Sequence, residues 1–301
     1  MNYRKLGRTG LTVSEVSFGS HLSKENAENP AQRRRQIHAG IDAGINLFDI
    51  YEHSYKQYAP MSEALAGVRD EVFISLVTVW RAVDEVMDEV EYALDAFKRT
   101  HIDLYRVVLG RDWNDGDRRL QTLVRAREQG KIRAIGGVVH RPEHLLEALR
   151  RYPDILEFIM APASFCAPLL IREDRDLAPA LRTHDLGVIA IKSMGATARS
   201  GGSEGYIFRL QPPGRDVEAL RQKGLKLGTL AVKSLLQSDL LSTVMPTMNA
   251  IDEVRESVRA SGAGPLTGDE ARFLDAYREE GDRAFPEMLP ENDYWITPWQ
   301  A

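Results

Sequence analysis

The strongest constraint on the fold is a regular alternation of short apolar runs and helical segments along almost the whole chain. Eight short runs rich in Val, Ile and Leu recur, and each is followed by a segment with helical periodicity or helix-boundary residues. Strands joined through helices pair in parallel, because the chain must cross back over the sheet between them. Eight such units predict an α/β fold that closes into a (β/α)8 barrel, or TIM barrel.

The boundaries follow from the same pattern. The predicted strands cover residues 16–19, 45–49, 72–79, 102–109, 132–139, 156–160, 187–192 and 242–245. The predicted barrel helices cover residues 30–43, 61–66, 83–98, 118–129, 142–150, 177–183, 229–237 and 251–259. An N-terminal β-hairpin is predicted at 3–14, and an extra C-terminal helix at 267–280 is followed by a tail. Without a repeat or a linker, residues 1–301 are predicted to form a single domain.

Composition excludes several classes of function. A chain of 301 residues that is 43% hydrophobic can bury one barrel core. The net charge of −5 and the lack of a basic run argue against nucleic acid as a partner. Cys166 is the only cysteine, so no disulfide, and no metal site, is predicted. No membrane span or signal peptide is expected, which favours a cytoplasmic protein. The sequence does not predict the oligomeric state.

One stretch of the chain combines a buried strand with titratable groups. The predicted strand 45–49 ends on Asp49, and the polar, aromatic loop that follows contains Tyr51, Glu52, His53 and Tyr55. In parallel barrels the active site lies at the carboxyl ends of the strands. Asp49 and its loop are therefore the first candidates for a catalytic site.

The same stretch, Gly-Ile-Asn-Leu-Phe-Asp at 44–49, resembles the aldo-keto reductases. Similar blocks stand at 3–14, 102–105, 130–136 and 188–195, in the order and spacing of that family. The resemblance implies a barrel that moves a hydride from NADPH to a carbonyl. In the family a tyrosine protonates the alkoxide, an aspartate-held lysine lowers that tyrosine's pKa, and a histidine polarises the carbonyl.

Only part of this catalytic set is present. Asp49 matches the family's aspartate, whereas the tyrosine position is occupied by Ser54. Tyr55, one residue later, is the preferred candidate for the tyrosine. The lysine position is Val77 and the histidine position is Val108. Valine thus occupies two positions that carry polar side chains in the family's catalytic set.

Asp49 therefore needs another partner, because an unpaired buried carboxylate is costly. Either the site is wetter than in the family, or a cation comes from elsewhere; the candidates are Arg81, Arg106, Arg111 and Lys192. Without a cation, Asp49 would be an orphaned acid that could itself act as a general acid or base. His53 is the candidate replacement for the lost imidazole.

The cofactor positions also depart from the family pattern. Valine stands before His140 where serine or asparagine is usual, and Ile191 replaces the aromatic residue that stacks on the nicotinamide. The adenosine-phosphate segment, I-P-G-x-S/R in the family, reads Met-Pro-Thr-Met-Asn at 245–249. If NADP(H) is nevertheless bound, the expected contacts are Met160, Lys192, Met194 and Asn249.

These losses favour an enzyme that keeps the barrel and has lost hydride transfer. It would perform elimination, dehydration, isomerisation or cyclisation on a small organic substrate at the C-terminal mouth of the barrel, without a cofactor. Asp49, Tyr55 and His53 are the predicted catalytic residues. The predicted substrate-binding residues are Tyr51, Glu52, Trp80, Arg106, Arg111, Trp113 and Lys192.

Two alternatives stay open. The first is an NADP(H)-dependent reductase with relocated catalytic groups. The second is a non-catalytic relative that binds a ligand or partner, with a surface lined by Trp80, Trp113, Trp295 and Trp299. Binding of NADPH separates the reductase from the non-redox enzyme.

Overall fold

The computed structural model describes residues 1–20, 29–51, 58–78, 81–165, 169–174, 176–194 and 226–284; for 277–284 it describes the backbone only. Four residues of the predicted sites lie outside these ranges: Glu52, His53, Tyr55 and Trp80. The predicted C-terminal tail, with Trp295 and Trp299, also lies outside them.

The N-terminal hairpin is confirmed. Strand β1 (Tyr3–Lys5) pairs antiparallel with β2 (Thr12–Ser14). Its turn packs against the chain just before residue 187, where the seventh of the eight predicted barrel strands begins, and there Gly7 bridges Leu186. Gly7 has a φ of +47°, and a Cβ there would lie 2.1 Å from the amide nitrogen of Gly187. Glycine therefore permits the hairpin to cover the N-terminal end of the barrel, opposite the mouth.

Seven parallel strands follow in sequential order. They are β3 (Leu47–Ile50), β4 (Phe73–Thr78), β5 (Ile102–Val108), β6 (Ile132–Val138), β7 (Phe158–Pro162), β8 (Gly187–Ile191) and β9 (Thr243–Val244). The predicted first strand makes isolated bridges rather than a full strand. Val16 bridges Val244 and Phe18 bridges Phe48, so this segment joins the two edges and closes the barrel.

Nine helices occur in the described parts of the chain. They are α1 (Pro30–Asp42), α2 (Tyr58–Leu65), α3 (Val86–Phe97), α4 (Trp113–Glu128), α5 (Pro142–Arg151), α6 (Leu177–Thr183), α7 (Leu227–Leu236), α8 (Ile251–Val258) and α9 (Gly268–Ala284). None of them is long and apolar enough to cross a bilayer. The α/β barrel predicted from the alternation is confirmed.

One helix begins well before its predicted start. Helix α4 begins at Trp113 instead of residue 118, because Asp112 caps it by accepting hydrogen bonds from the backbone N–H groups of Asn114 and Asp115. Arg119 then binds Asp115 one turn later. The Asn, Asp and Gly residues that resembled a loop are thus the first turn of a helix.

Two apolar layers hold the barrel together. Strand residues facing inward, such as Leu47, Leu104 and Phe158, form the interior with Leu6 of the hairpin. Gly136 faces the same interior, where a Cβ would lie 2.4 Å from the Phe158 ring. The outward strand residues pack under the helices in a larger cluster. The interior is a packed core, so chemistry is confined to the mouth where the strands end.

Candidate functional site

The first half of the mouth is organised by a buried ion pair between two strands. Arg106 of β5 donates from Nη1 to Oδ1 of Asp49 at 2.5 Å and from Nη2 to Oδ2 at 3.0 Å. Arg106 Nη1 also donates to Ser75 Oγ on β4 at 2.8 Å. Both charged residues are buried. The expectation of an orphaned acid is therefore wrong, and Arg106 is the cation that replaces the family's lysine as the partner of Asp49.

This pairing changes what Asp49 can do. Both carboxylate oxygens accept from one guanidinium, which is a strong, geometrically specific arrangement. An arginine stays protonated in proteins, so it cannot pass a proton on as a lysine can. Val77 is buried beside the pair and Val108 is half-buried at the end of β5. This half of the mouth is thus charge-neutralised and apolar.

The second half of the mouth contains His140 after β6 and Lys192 after β8, both half-buried. Burial lowers the pKa of the His140 imidazole well below its usual range, and nearby positive groups lower it further. In order of decreasing effect these groups belong to Lys192, Arg111, His144 and Arg106. His140 is therefore neutral at pH 7 and lies among cations.

Lys192 has an unusual backbone and an unusual side chain. Its φ is +58°, in the left-handed region that few non-glycine residues adopt. Burial lowers the pKa of its amine to about 8. The next residue, Ser193, is buried, and its Oγ has no hydrogen-bond partner. Strain, a perturbed pKa and a buried polar atom occur together at functional sites more often than elsewhere.

Of these groups, His140 is the one that the family motif does not predict. It follows the valines of the fifth barrel strand, whereas the family places its imidazole on the preceding strand. The signal available in the sequence was its place at the carboxyl end of a buried strand. Its charged surroundings come from three other segments, and only the folded chain shows them.

The remaining predicted substrate-binding residues fall into different surroundings. Tyr51 is half-buried just after β3, and its backbone N–H donates to Ser20 Oγ. Arg111 is exposed beyond β5, and its charge reaches His140. Trp113 instead packs at the start of α4, where Arg151 lies 4.9 Å above its ring. Its ring also meets the His144 ring edge-on at 6.1 Å, on the helix that follows His140. The role of Trp113 in substrate binding stays a prediction.

The segment after β9, where the family binds the adenosine phosphate, is tied to two helices. Asn249 donates its backbone N–H to Glu253 Oε2 at 2.6 Å, and its carbonyl accepts from Gln36 Nε2 at 2.5 Å. Arg33 donates to the Met248 carbonyl at 2.7 Å. A phosphate placed at the Asn249 amide would meet the carboxylate of Glu253. Among the described residues, this segment does not fit the phosphate of NADP(H).

The nicotinamide side of the mouth fits no better. Met160 is fully buried within the barrel interior, and Met194 is half-buried between two apolar clusters. Ile191 stands where an aromatic ring would stack. Lys192, the fourth residue expected to contact NADP(H), would place its positive charge beside the cationic ring of the oxidised cofactor. These residues supply neither a stacking surface nor a complementary charge.

A closed parallel barrel with titratable groups at the carboxyl ends of its strands defines a TIM-barrel protein with a candidate active site. The chain belongs to the aldo-keto reductase family, because the model of the Aldo/keto reductase family matches residues 15–279. The family resemblance seen in the sequence is confirmed. Members of this family typically bind NADP(H) and act on small molecules.

Two curated relatives are proteins described by their redox activity. An uncharacterized oxidoreductase of Bacillus subtilis (strain 168), YqkF, is 21% identical over a 308-residue alignment that covers 93% of this chain and 97% of that protein. The 6-dehydroglucose reductase of Novosphingobium aromaticivorans is 40% identical over 47 residues, which is 16% of each chain.

The solved structures show the fold. The holo form of the aldo-keto reductase AKR11C1 from Bacillus halodurans superposes with a TM-score of 0.70 and 23% identity. The match covers 98% of this chain and 99% of that chain. The apo form of the same protein superposes with a TM-score of 0.68 and 22% identity. At this level of identity the likeness concerns the barrel and not its chemistry.

Proposed function

We propose that this protein is an aldo-keto-reductase-fold enzyme that performs non-redox acid–base chemistry on a small anionic molecule at the barrel mouth. The observation that carries the proposal is the replacement of the family's lysine by an apolar residue. Val77 occupies that position, and Asp49 binds Arg106 through both carboxylate oxygens. Among the described residues, the family's lysine position therefore supplies no amine to lower the pKa of a neighbouring tyrosine, which the family's hydride transfer needs.

The chemistry that remains lies around His140 and Lys192. A neutral imidazole can accept a proton, and an amine with a pKa of about 8 can donate or accept one near neutral pH. The positive groups around His140 favour a substrate that carries a carboxylate or develops an oxyanion. Proton transfer next to such a charge is the common step of elimination, dehydration and isomerisation.

The loop residues predicted from the sequence keep a role in this proposal. Tyr55 and His53 are proposed as further catalytic groups, with Tyr51 and Glu52 contacting substrate. Asp49 becomes a positioning residue, because it acts through Arg106. The proposed enzyme needs no cofactor and works in the cytoplasm.

The deciding experiment is a titration of the full chain with NADPH, followed by calorimetry and by nicotinamide fluorescence. The expected result is no saturable binding up to about 1 mM, the weak end of specific affinity. An aldo-keto reductase that keeps the family's lysine and histidine is the positive control. Micromolar binding of NADPH would refute the non-redox proposal.

A reductase remains the second candidate, because likeness to an oxidoreductase extends over almost the whole chain. In that case NADPH would contact Met160, Lys192, Met194 and Asn249. The variant Glu253→Gln distinguishes the two candidates further. If a phosphate binds near the Asn249 amide, removing the charge of Glu253 should tighten NADPH binding, whereas the non-redox enzyme should bind none in either form.

A further inference from the structure

We propose that Lys192 is an amine nucleophile that forms a Schiff base with the carbonyl carbon of a small α-keto acid bound at the mouth. This inference rests on the proposed function, since it names the substrate class and a covalent step for the same site. It assigns to Lys192 a role that neither the family's catalytic set nor its cofactor contacts include.

The position of Lys192 is set by a rigid frame. Its preceding residue, Ile191, is the last of β8 and is paired in register with Pro162 of β7. On the other side, the Met245 N–H donates to the Ala190 carbonyl at 2.8 Å. The amine is thus attached where a central strand reaches the mouth, and a side chain so placed keeps its orientation better than one on a loop.

The backbone at this position supports a functional assignment. Lys192 has a φ of +58°, while Ile191 before it is still in a strand. A left-handed conformation is disfavoured for a side chain with a Cβ, and such residues persist where the surrounding structure holds them. Ser193, directly after it, buries a hydroxyl oxygen that has no protein partner.

The amine is also in a reactive charge state. Burial lowers the pKa of Lys192 from 10.5 to about 8. At pH 7, roughly 300 times more of this amine is neutral than for an ordinary lysine. Only the neutral amine carries the lone pair that attacks a carbonyl. The side chain is half-buried, so a small molecule can still reach it.

His140 supplies the proton transfer that the step needs. Its imidazole is close enough to Lys192 that the amine's charge lowers its pKa. The neutral imidazole takes one proton from the ammonium, and the freed lone pair forms a C–N bond as the carbonyl π bond breaks. His140 returns that proton to the carbinolamine oxygen. The C–O bond then breaks and water leaves with a second proton from nitrogen. Ammonium and ketone thereby give an iminium and water, without an external oxidant or reductant.

The acid group of the substrate follows from the charge around the site. The charge of Arg111, which is exposed, reaches His140. Arg106 is already neutralised by Asp49. Among the described arginines whose charge reaches His140, Arg111 is therefore the one that can bind a carboxylate next to the reacting carbonyl. A molecule with a carbonyl adjacent to a carboxylate matches both Lys192 and Arg111.

A second lysine offers an internal control. Lys233 on α7 is buried like a catalytic amine, yet its Nζ lies 2.7 Å from Glu270 Oε2. That carboxylate occupies the amine, so Lys233 serves as the buried control. Lys226, just before α7, is exposed and serves as the ordinary surface amine. Specific reactivity must therefore distinguish Lys192 from both.

The test uses pyruvate as the probe. The full chain is incubated at pH 7 with pyruvate and cyanoborohydride, which reduces an iminium to a stable adduct, and the modified peptide is mapped by mass spectrometry. We expect Lys192 to be labelled at least tenfold faster than Lys226 or Lys233. Lys192→Arg should abolish the label, and Lys192→Met should do the same if arginine disturbs the fold. Circular dichroism verifies that each variant is folded.

Further labelling experiments identify the groups that act on the Lys192 amine. Acetone, which lacks the carboxylate, should label Lys192 at least tenfold more slowly than pyruvate, and Arg111→Ala should remove most of that difference. His140→Gln should slow labelling without moving it to another lysine. Labelling spread evenly over exposed lysines, or no label at all, would overturn the Schiff-base role. If NADPH also fails to bind, only this role is lost, whereas tight NADPH binding would overturn the non-redox function itself.

Discussion

The two halves of the barrel mouth differ in how their titratable groups are paired. On the side of β3 to β5, Asp49 and Arg106 neutralise each other in a buried bidentate pair. On the side of β6 to β8, Lys192 and His140 are half-buried, and the pKa of each is lowered. The first half keeps the family's aspartate, whereas the second half keeps groups that can move protons.

This difference shows that a chain can keep a residue of a family motif while the partner of that residue changes. Asp49 matches the motif, but its partner is now an arginine that does not exchange protons. In the family the pair serves a tyrosine; here it holds β3 and β5 together. The groups with lowered pKa, His140 and Lys192, follow β6 and β8 instead. If this comparison is right, changes in the first half should affect mainly stability, and changes in the second half should affect mainly pH behaviour and reactivity.

The largest effect is expected for Arg106→Ala. Removing the guanidinium leaves a buried carboxylate without compensation, which costs about 3–5 kcal/mol of unfolding free energy. Urea denaturation followed by circular dichroism measures it. Arg118→Ala is the matched control, because its pair with Asp84 is exposed and should contribute at most about 1 kcal/mol. A loss below about 1 kcal/mol for Arg106→Ala would show that the first half is not held by this pair.

The second prediction concerns Lys192 at alkaline pH. Its pKa is about 8 in the folded chain and 10.5 as a free side chain, so between these values the unfolded chain holds more protons. Stability relative to Lys192→Met should therefore rise as the pH increases from about 8 to about 10.5, by at most about 1.4 kcal/mol per pH unit. Urea melts of both proteins across this range measure the difference. A flat difference would place the amine in an ordinary environment.

The third prediction concerns His140 at acid pH. Burial lowers its pKa most, and the charges of Lys192, Arg111, His144 and Arg106 lower it further. Below about pH 6.5 the unfolded chain takes up a proton that the folded chain refuses, so stability falls as the pH falls, by at most about 1.4 kcal/mol per unit. His140→Gln should remove this part of the acid sensitivity.

Thermal melts between pH 5 and 7 measure the effect, with His101→Gln as the control. His101 lies at the opposite end of the barrel, before β5, next to Asp103. Equal acid sensitivity of wild type and His140→Gln would contradict a cationic second half.

The smallest effect is expected for Ser75→Ala. The hydroxyl accepts one hydrogen bond from Arg106 Nη1, and both Nη atoms of that guanidinium stay bound to Asp49. The loss should be about 1 kcal/mol of unfolding free energy. Chemical denaturation of this variant and of Arg106→Ala compares the two contacts of one guanidinium. A loss for Ser75→Ala as large as that for Arg106→Ala would mean that the hydroxyl, and not the ion pair, organises the first half.

Local patterns predicted most of the barrel and missed where an element depended on contacts between side chains. The seventh helix of the barrel was predicted to begin at 229 and begins at Leu227, a shift within the usual fraying of helix ends. Helix α4 was missed by five residues, because its cap and first turn use residues typical of loops. The segment 16–19 was predicted as a strand and makes bridges to both edges instead.

The candidate site was predictable in position and not in its pairing. Asp49, Arg106 and Lys192 were all selected because they lie at the ends or on the inner faces of predicted strands. The sequence offered four possible cations for Asp49, and spacing alone cannot choose among side chains on different strands. His140 is not among the predicted site residues, because the histidine expected from the family belongs to another strand. The roles of His53 and Tyr55 stay predictions.

The sequence by itself determined the eight alternating strand–helix units and the hairpin, because these follow from local periodicity. It also determined the family and the replacement of the family's lysine by Val77, because these follow from motifs. Only the tertiary structure decided that Arg106 binds Asp49 and that positive groups surround His140. The reason is geometric. Register between parallel strands places residues 57 apart in the chain within 2.5 Å of each other, and burial then alters their charge behaviour.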